Sequence, residues 1–324
     1  MARRTRSAPA PTPEAVPAAE DAPPAEPAPP PGLGYEKWIG FLSNFIAPAT
    51  LITALLFYFG YVSSREFFLY FGVDVDVLDF SNQQFVMRSP GAVFVPVMVI
   101  LLIAAAAIVG HRLLRARLRT ATPRWRRRTI ALFAWSGIVL MLAGLVLAFS
   151  YAALSSWPYY GFATAMTLGS GAGLAAYAAQ TARTLSGATQ GRALVVLLVA
   201  VMVAGAFWAT AAVAQWWGRG QARTLAADLS VLPAVVLDAK DRVSPGTSEI
   251  TAIRLDQDFN ADGTPVAGQF RYRYQGLRLL VRGGDYLFLV PDAWSADAST
   301  LVIPIDPANY RVRYRFLPDD VPPG

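Results

Sequence analysis

An arginine-rich stretch between two long apolar runs constrains this chain more than any other feature. Residues 111–128, HRLLRARLRTATPRWRRR, hold eight arginines and no acidic residue. The arginines are Arg112, Arg115, Arg117, Arg119, Arg124, Arg126, Arg127 and Arg128. Arginines beside membrane spans resist translocation and stay in the cytoplasm. The stretch therefore predicts a cytoplasmic turn that joins two membrane helices, and we call it the arginine turn.

The composition is that of a membrane protein. Hydrophobic residues make up 54% of the 324 residues and charged residues 15%, whereas a soluble domain carries about a quarter charged residues. Much of the net charge of +6 lies in the arginine turn, so we expect it to orient the chain in the lipid bilayer and not to bind nucleic acid. No cysteine and only one histidine are present, which excludes thiolate chemistry and most histidine-based zinc and catalytic sites. With no cofactor or catalytic motif, the sequence predicts a protein that is not an enzyme.

Five segments are predicted to cross the membrane: about 39–62, 91–110, 129–151, 162–182 and 193–217. Each reaches the roughly 20 residues that a hydrocarbon core of about 30 Å requires. The fourth is the weakest, because it consists mostly of Ala, Gly, Ser and Thr, which insert less favourably than Leu or Phe. A chain with four spans is the alternative, and the distribution of positive charge does not distinguish the two.

Two glycines in the fourth segment have the spacing of a helix-packing motif. Gly169 and Gly173 lie four residues apart, which places both on one helix face and permits close approach of a second helix. We therefore expect helix packing there and expect the protein to self-associate. A flexible small-residue helix without a specific packing role is the alternative interpretation.

The three parts of the chain differ in composition. Residues 1–34 form a Pro/Ala-rich tract with little to bury, which predicts a disordered cytoplasmic tail. Residues 35–217 form the helical membrane domain, and residues 218–324 have balanced charge and short alternating runs, which predict a small soluble β domain. The predicted fold class is an α-helical polytopic membrane protein with a small C-terminal all-β domain. Five spans in the inner (plasma) membrane put the N-terminus in the cytoplasm and the β domain outside.

Seven candidate strands occur in the C-terminal region. They are residues 232–239, 249–255, 270–275, 277–282, 286–290, 300–305 and 310–316. Gly283 and Gly284 separate two of the apolar runs and predict a tight hairpin. In YRVRYRF, residues 310–316, three arginines alternate with apolar and aromatic residues, which is the period of a strand with one face in water.

A short polar segment in the C-terminal region matches part of a calcium loop. Asp258, Asn260 and Asp262, followed by a glycine, fit the start of the D-x-N-x-D-G pattern, in which oxygen atoms surround a hard cation. The match fails at its twelfth position, where Gln269 replaces the expected bidentate acid. The segment is a candidate calcium site, and a polar turn built from good turn formers is the alternative.

Three acids follow the first span. Asp74, Asp76 and Asp79 would form a ring of carboxylates if several subunits assembled, and such rings concentrate cations at a pore mouth. The alternative is that they are solvated acids on an external loop. No charged residue lies within the predicted spans, which argues against a proton- or sodium-coupled transporter. An oligomeric channel or channel-like transporter is therefore the alternative function for this chain.

Two stretches resemble an uncharacterised family of actinobacterial multi-pass integral membrane proteins. They are FYFGYVSSREFFLYFGVDVDVLDFS, residues 57–81, and RYRYQGLRLLVRGGDYLFLVP, residues 271–291. In that family an aromatic helix end and a GVD-containing loop precede further spans and a small C-terminal domain. The resemblance implies membrane location and architecture, and it implies no activity or ligand. The predicted function is a non-enzymatic membrane protein whose β domain binds a protein or an envelope component.

Overall fold

The computed structural model describes residues 35–186, 191–244, 250–256, 269–295 and 297–315, apart from the side chains at 35–47, 118–119 and 185–186. The chain divides into two compact units, residues 1–49 and 50–324, and contacts are given below for the second unit. The predicted tail and the three predicted calcium ligands, Asp258, Asn260 and Asp262, lie outside the described residues.

Six helices come first in the described part of the chain. They are α1 (Tyr35–Tyr70), α2 (Asn82–Thr120), α3 (Pro123–Phe149), the short α4 (Tyr151–Leu154), α5 (Tyr160–Ser186) and α6 (Arg192–Ala227). A 3-10 turn, Val75–Leu78, lies between α1 and α2. Ser81 begins α2 with a reciprocal capping box, because its side chain accepts from Gln84 N–H and its own N–H donates to the Gln84 side chain, which satisfies two otherwise unpaired groups.

Three of these helices are long and apolar enough to cross a membrane: α2 from Asn82 to Arg117, α3 and α6. Such helices are those of a membrane protein. Three of the five predicted transmembrane helices therefore meet this criterion in the described part of the chain, and α1 and α5 do not. Helix α5 falls short through its small and hydroxyl-bearing residues. In α1 the described side chains begin at position 48, and the polar run from Ser63 to Glu66 shortens the apolar part.

Helix α5 lies between α3 and α6, and glycines form both interfaces. On the α3 side, a Cβ atom built on Gly137 would lie 2.7 Å from the Ala175 nitrogen. On the α6 side, a Cβ on Gly205 would lie 2.7 Å from Gly169 Cα, and one on Gly173 would lie 3.0 Å from the Met202 sulfur. Since glycine has no Cβ, the backbones of the three helices approach closely.

Helix α2 contacts the rest of the molecule near its two ends. Near its start, Ala92 packs in a cluster with Phe59 of α1 and Ala214 of α6. From residue 97 to residue 113 every position is exposed. At the far end, His111 Nδ1 lies 3.0 Å from the Tyr177 hydroxyl of α5. The middle of α2 is thus a bare apolar helix.

Six strands form one antiparallel sheet among the described residues. They are β1 (Ala234–Ala239), β2 (Thr251–Arg254), β3 (Tyr272–Gly283), β4 (Tyr286–Pro291), β5 (Leu301–Pro304) and β6 (Tyr310–Arg315). The order is β5-β4-β3-β1-β6, with β2 beside β3. Gly283 pairs with Tyr286 across a tight turn, so the predicted hairpin is confirmed. Helix α6 continues through Gly218 to Ala227, so the first residues assigned to the β domain from the sequence are helical, and the first strand begins at Ala234.

The two faces of the sheet have different partners. One face holds the core of the β domain, in which Leu237, Tyr274 and Leu289 are fully buried. The opposite face packs on the helices: Phe288 clusters with Phe68 of α1, and Val290 clusters with α1 and α6 residues. The β domain is therefore seated on the helix ends and is not a freely tethered module.

A loop between α1 and α2 completes the surface on which the sheet packs, and we call this surface the seat of the β domain. Leu78 is buried under the β3–β4 hairpin, where a Cβ on Gly283 would lie 2.7 Å from Leu78 Cα. The Thr300 hydroxyl donates a hydrogen bond of 2.6 Å to the Phe71 carbonyl. These contacts lie at the start of α2, whereas the arginine turn lies at its end. The 39 residues of α2, at about 1.5 Å per residue, span about 58 Å, so the β domain and the arginine turn lie at opposite ends of this helix.

Candidate functional site

Strand β6 carries a row of exposed arginines. Because side chains alternate along a strand, Arg311, Arg313 and Arg315 share one face, at intervals of about 7 Å. On the other face, Tyr310 and Val312 pack against the core of the β domain. The sequence pattern predicts this alternation, and the strand that it predicts is confirmed.

A buried carboxylate holds the arginine face together. Asp238 of β1 is 1% exposed, and its Oδ1 accepts a hydrogen bond of 2.8 Å from Arg273 Nε of β3. Its Oδ2 accepts a second bond, of 2.9 Å, from Arg313 of β6. The bond to Asp238 raises the pKa of the Arg273 guanidinium above its usual value. A buried charge is tolerated when it is paired in this way, so Asp238 fixes the positions of arginines from two neighbouring strands.

Two other arginines of this face are also oriented by contacts. The Arg311 guanidinium lies 4.5 Å from the centre of the Phe270 ring, an arrangement in which the ring attracts the cation. Arg278 donates to Asp292 at 2.6 Å and to two backbone carbonyls. Guanidinium groups therefore outnumber carboxylates on this face, and at least Arg313 and Arg311 keep exposed surface toward solvent.

An open cleft of about 400 Å³ adjoins β6 on the core side of the sheet. Its floor is apolar and its walls are aromatic, formed mainly by Leu287, Pro304, Ile305, Tyr310, Val312 and Tyr314. Arg282 also lines it, and so does Arg311, so the cleft extends beyond the core-side residues to one residue of the arginine face. The acid among its described lining residues is Asp306, whose carboxylate oxygens accept from Ala308 N–H and from the Asn309 side chain. The volume lies in the range of small-ligand sites, and the chemistry of the lining favours an apolar group next to an anion.

Strand β6 also ends the sheet within the described residues. Each of its residues pairs with β1 on one side, and no described strand pairs with its other side. An edge strand exposes backbone N–H and C=O groups that can pair with another chain. The arginine face, the cleft and this edge therefore meet at one strand, and we take β6 and its surroundings as the candidate binding site.

The seat of the β domain contains an ion pair that connects α1 to α6. Glu66 has only 10% of its side chain exposed, and its Oε2 accepts a hydrogen bond of 2.6 Å from Arg219 Nε. Nearby, the Gly218 backbone lies so close to the Ser63 carbonyl that a Cβ atom at Gly218 would collide with it. Because α6 leads directly to β1, this contact helps to set the orientation of the sheet on the helices.

The three predicted pore-mouth acids lie in one exposed loop, and two of them serve its local structure. Asp74 caps the 3-10 turn by accepting from Asp76 N–H. The Asp76 carboxylate accepts from the Tyr61 hydroxyl of α1 at 3.1 Å. Asp79 ends the turn in the left-handed conformation, with φ of 51°. The structure brings the acids together as parts of the seat for the hairpin, and a ring around a pore remains a prediction.

The other predicted site residues fall in three places. The arginine turn forms the end of α2 and the start of α3, where Arg112, Arg117 and Arg124 are exposed. Gly169 and Gly173 face α6, as described above. In the part of the chain that the structure describes, no group of three or more His, Asp or Glu residues could hold a metal ion, and the predicted calcium ligands lie outside that part.

The partners of the arginine row and of α6 are not among the site residues predicted from the sequence. Asp238 is a lone acid in an otherwise apolar strand, and a lone acid beside a strand of alternating arginines signals a cross-strand ion pair. Glu66 carried a weaker signal, as a single acid within an aromatic helix end. Its partner Arg219 is 153 residues away, which sequence spacing does not reveal.

Comparisons with known proteins do not identify a relative of this chain. No protein-family model, no curated protein and no solved structure matches the chain.

Proposed function

We propose that this protein is a non-enzymatic, multi-pass anchor of the inner membrane that holds its β domain on the outer surface to bind a protein or envelope partner. One observation carries the proposal: the β domain is seated at the end of α2 that is remote from the arginine turn. Since arginines beside a span stay in the cytoplasm, the opposite end of α2 faces outward, together with the domain packed on it.

In this proposal α1 and α5 cross the bilayer with α2, α3 and α6, which gives five spans. The His111–Tyr177 contact supports the crossing of α5, because it brings the ends of α2 and α5 to the side of the arginine turn. Glycine packing against α3 and α6 also supports it, since neighbouring helices cover the weakly apolar surface of α5.

The seat supports a binding role more than a channel role. Phe71, Phe288 and Val290 are buried between the sheet and the helices, so the β domain keeps one orientation, and β3 and β1 separate β6 from the contact residues of β4. Fixed presentation reduces the entropy lost when a partner binds. Among the described residues, Asp74 accepts a hydrogen bond within its own loop and Asp76 accepts one from Tyr61 of α1, and neither contact favours a pore.

A topology reporter tests the location. Alkaline phosphatase fused after Gly324 should be active, because it folds only outside the cytoplasm, and a fluorescent protein at the same point should stay dark. As a matched control, phosphatase inserted after Thr122 in the arginine turn should be inactive. An active fluorescent protein after Gly324 would contradict the proposed orientation and the outside binding role together.

Site-specific photocrosslinking in intact cells tests the binding role. A photoreactive amino acid replacing Tyr314, which is 55% exposed on β6, should yield adducts of discrete mass. The same amino acid at Trp125, exposed in the arginine turn, should not yield those adducts. Identical patterns from both positions, or none from Tyr314, would count against partner binding by the β domain.

A further inference from the structure

We infer that strand β6 is a docking edge for an extended peptide in which acidic and apolar residues alternate. The inference rests on the proposed function, because it names the chemistry of the partner that the β domain binds. It is carried by three properties of the same strand: an edge that no described strand occupies, a face of arginines, and a cleft lined mainly by residues of the opposite face.

The edge supplies the backbone part of the interaction. In antiparallel β6, every second residue directs its N–H and C=O groups away from β1, and an incoming strand can accept and donate these bonds. Addition of a strand to a sheet edge is a common mode of peptide recognition, in which the backbone gives affinity and alternate side chains give specificity. The six residues of β6 offer an edge of about 20 Å.

The two faces of β6 determine which side chains the peptide should carry. Residues of a paired strand lie beside their neighbours on the same face. On one face, peptide side chains would lie beside Arg311, Arg313 and Arg315, where carboxylates are favoured. On the other face, they would enter the cleft beside Tyr310, Val312 and Tyr314, where apolar side chains are favoured. A peptide with period-two alternation satisfies both faces at once.

The charge of β6 argues against a second copy of the same strand as the occupant. Two β6 strands paired edge to edge would bring arginines opposite arginines, and like charges directly opposite each other destabilise a strand pair. Guarding the sheet edge against aggregation is a simpler role for charged residues, but guarding alone does not account for the adjoining cleft of about 400 Å³ with its aromatic walls.

Peptide binding by the full-length protein in detergent micelles tests the inference. The probe is a fluorescent peptide as long as β6 in which Glu and Val alternate, and binding is read by fluorescence anisotropy. We expect it to bind at least about tenfold more tightly than a matched peptide in which Lys and Val alternate, a ratio that corresponds to about 1.4 kcal/mol. A block peptide of the same composition as the probe, with its valines first and its glutamates last, should bind as weakly as the Lys/Val peptide.

N-methylated peptides separate edge pairing from simple charge attraction. Methylation of the Val amides blocks one edge of the peptide, and methylation of the Glu amides blocks the other. One of the two methylated peptides should lose binding and the other should keep it, because only one edge faces β6. Equal binding of both would overturn the inference, as would equal binding of the alternating and block peptides.

Charge reversal at β6 provides the protein variant. Arg311→Glu/Arg315→Glu leaves Arg313 in place, so Asp238 keeps both of its partners, and the melting temperature checks that the variant is folded. This variant should prefer the Lys/Val peptide, and an unchanged preference in the folded variant would contradict the inference.

Lipid headgroups are the other source of negative charge for the arginine row, and competition with vesicles of an anionic phospholipid tests them. The peptide should stay bound in their presence. Displacement by vesicles, together with indifference to peptide alternation, would assign the arginine row to lipid headgroups and overturn the inference. The proposed function and the inference can fail independently. Crosslinked adducts at Tyr314 without peptide binding would leave the proposed function standing. A topology reporter that places the C-terminus in the cytoplasm would contradict the proposed function and leave peptide binding unaffected.

Discussion

Helix α5 is weakly apolar but buried, whereas helix α2 is strongly apolar but exposed. Helix α5 is not apolar enough to count among the candidate membrane spans, yet between residues 161 and 179 only Met166 and Ser170 are exposed. Helix α2 counts among those spans, yet it is exposed at every position from 97 to 113. In this protein the less apolar helix is the one surrounded by protein.

This difference follows from the lipid that surrounds membrane helices. Lipid tails are as apolar as a leucine side chain, so burying leucine between membrane helices brings little gain, and close van der Waals packing drives their association instead. Small residues permit that packing, whereas large apolar residues suit contact with lipid. The comparison of α5 with α2 shows that hydropathy alone does not predict which helix of this molecule is buried.

The largest expected effect comes from filling the α5–α6 interface. Gly205→Leu would place a side chain where even a Cβ atom lies 2.7 Å from Gly169 Cα, and overpacking of this kind costs about 3 kcal/mol. The matched control is Gly110→Leu in α2, where a Cβ atom would meet nothing within 4 Å. Thermal unfolding in detergent micelles should show a large loss for the first variant and little change for the second. Equal losses would break the distinction between the two helices.

Truncation of leucines should give a smaller difference in the same direction. Leu198→Ala removes a side chain that is 9% exposed in a cluster with Ala172 and Ala176, and we expect a loss of about 2 kcal/mol from the lost contacts. Leu102→Ala in α2 changes a side chain that is 63% exposed. Because lipid surrounds this position in the folded and the unfolded chain, we expect a change below about 0.5 kcal/mol. A larger loss for Leu102→Ala than for Leu198→Ala would mean that another surface covers α2.

The smallest expected effect concerns the contact between the two helices. Tyr177→Phe removes the hydroxyl that lies 3.0 Å from His111 Nδ1, which should cost about 1 kcal/mol. The chain has no cysteine, so spin labels at Leu113→Cys and Thr184→Cys report on α2 and α5 alone. The distance distribution between the labels should broaden in Tyr177→Phe and stay narrow in Tyr151→Phe. An unchanged distribution would show that the hydroxyl does not hold α2.

Much of the architecture could be predicted from local patterns. The long helices follow from apolar runs, and the β3–β4 hairpin follows from Gly283 and Gly284. The number of strands was wrong for an identifiable reason. Gly276 has φ of 82° and reads as a turn between two strands, but it lies at a register shift opposite β1. A glycine in that conformation can form a bulge inside one continuous strand, so two predicted strands are one.

The candidate site was only half predictable. The alternation of Arg311, Arg313 and Arg315 identifies a strand with a charged face, because this signal is local. Asp238 pairs with residues 35 and 75 positions away, so its role depends on strand order. The cleft beside β6 is lined by residues that lie far apart in the chain, from Phe270 to Tyr314, so no single segment encodes it. Hydropathy likewise could not reveal that α5 is covered, since its cover comes from α3 and α6.

The seat under the β3–β4 hairpin has a consequence for how the protein is made. Leu78 and Gly283 are in contact but lie about 200 residues apart in the chain, and synthesis at about 5–20 residues per second separates them by about 10–40 s. During that interval Phe68, Phe71 and Leu78, which are buried in the finished protein, lack the sheet that covers them. The nascent chain therefore presents an aromatic surface until the sheet is complete, and during this interval that surface is accessible to chaperones and proteases.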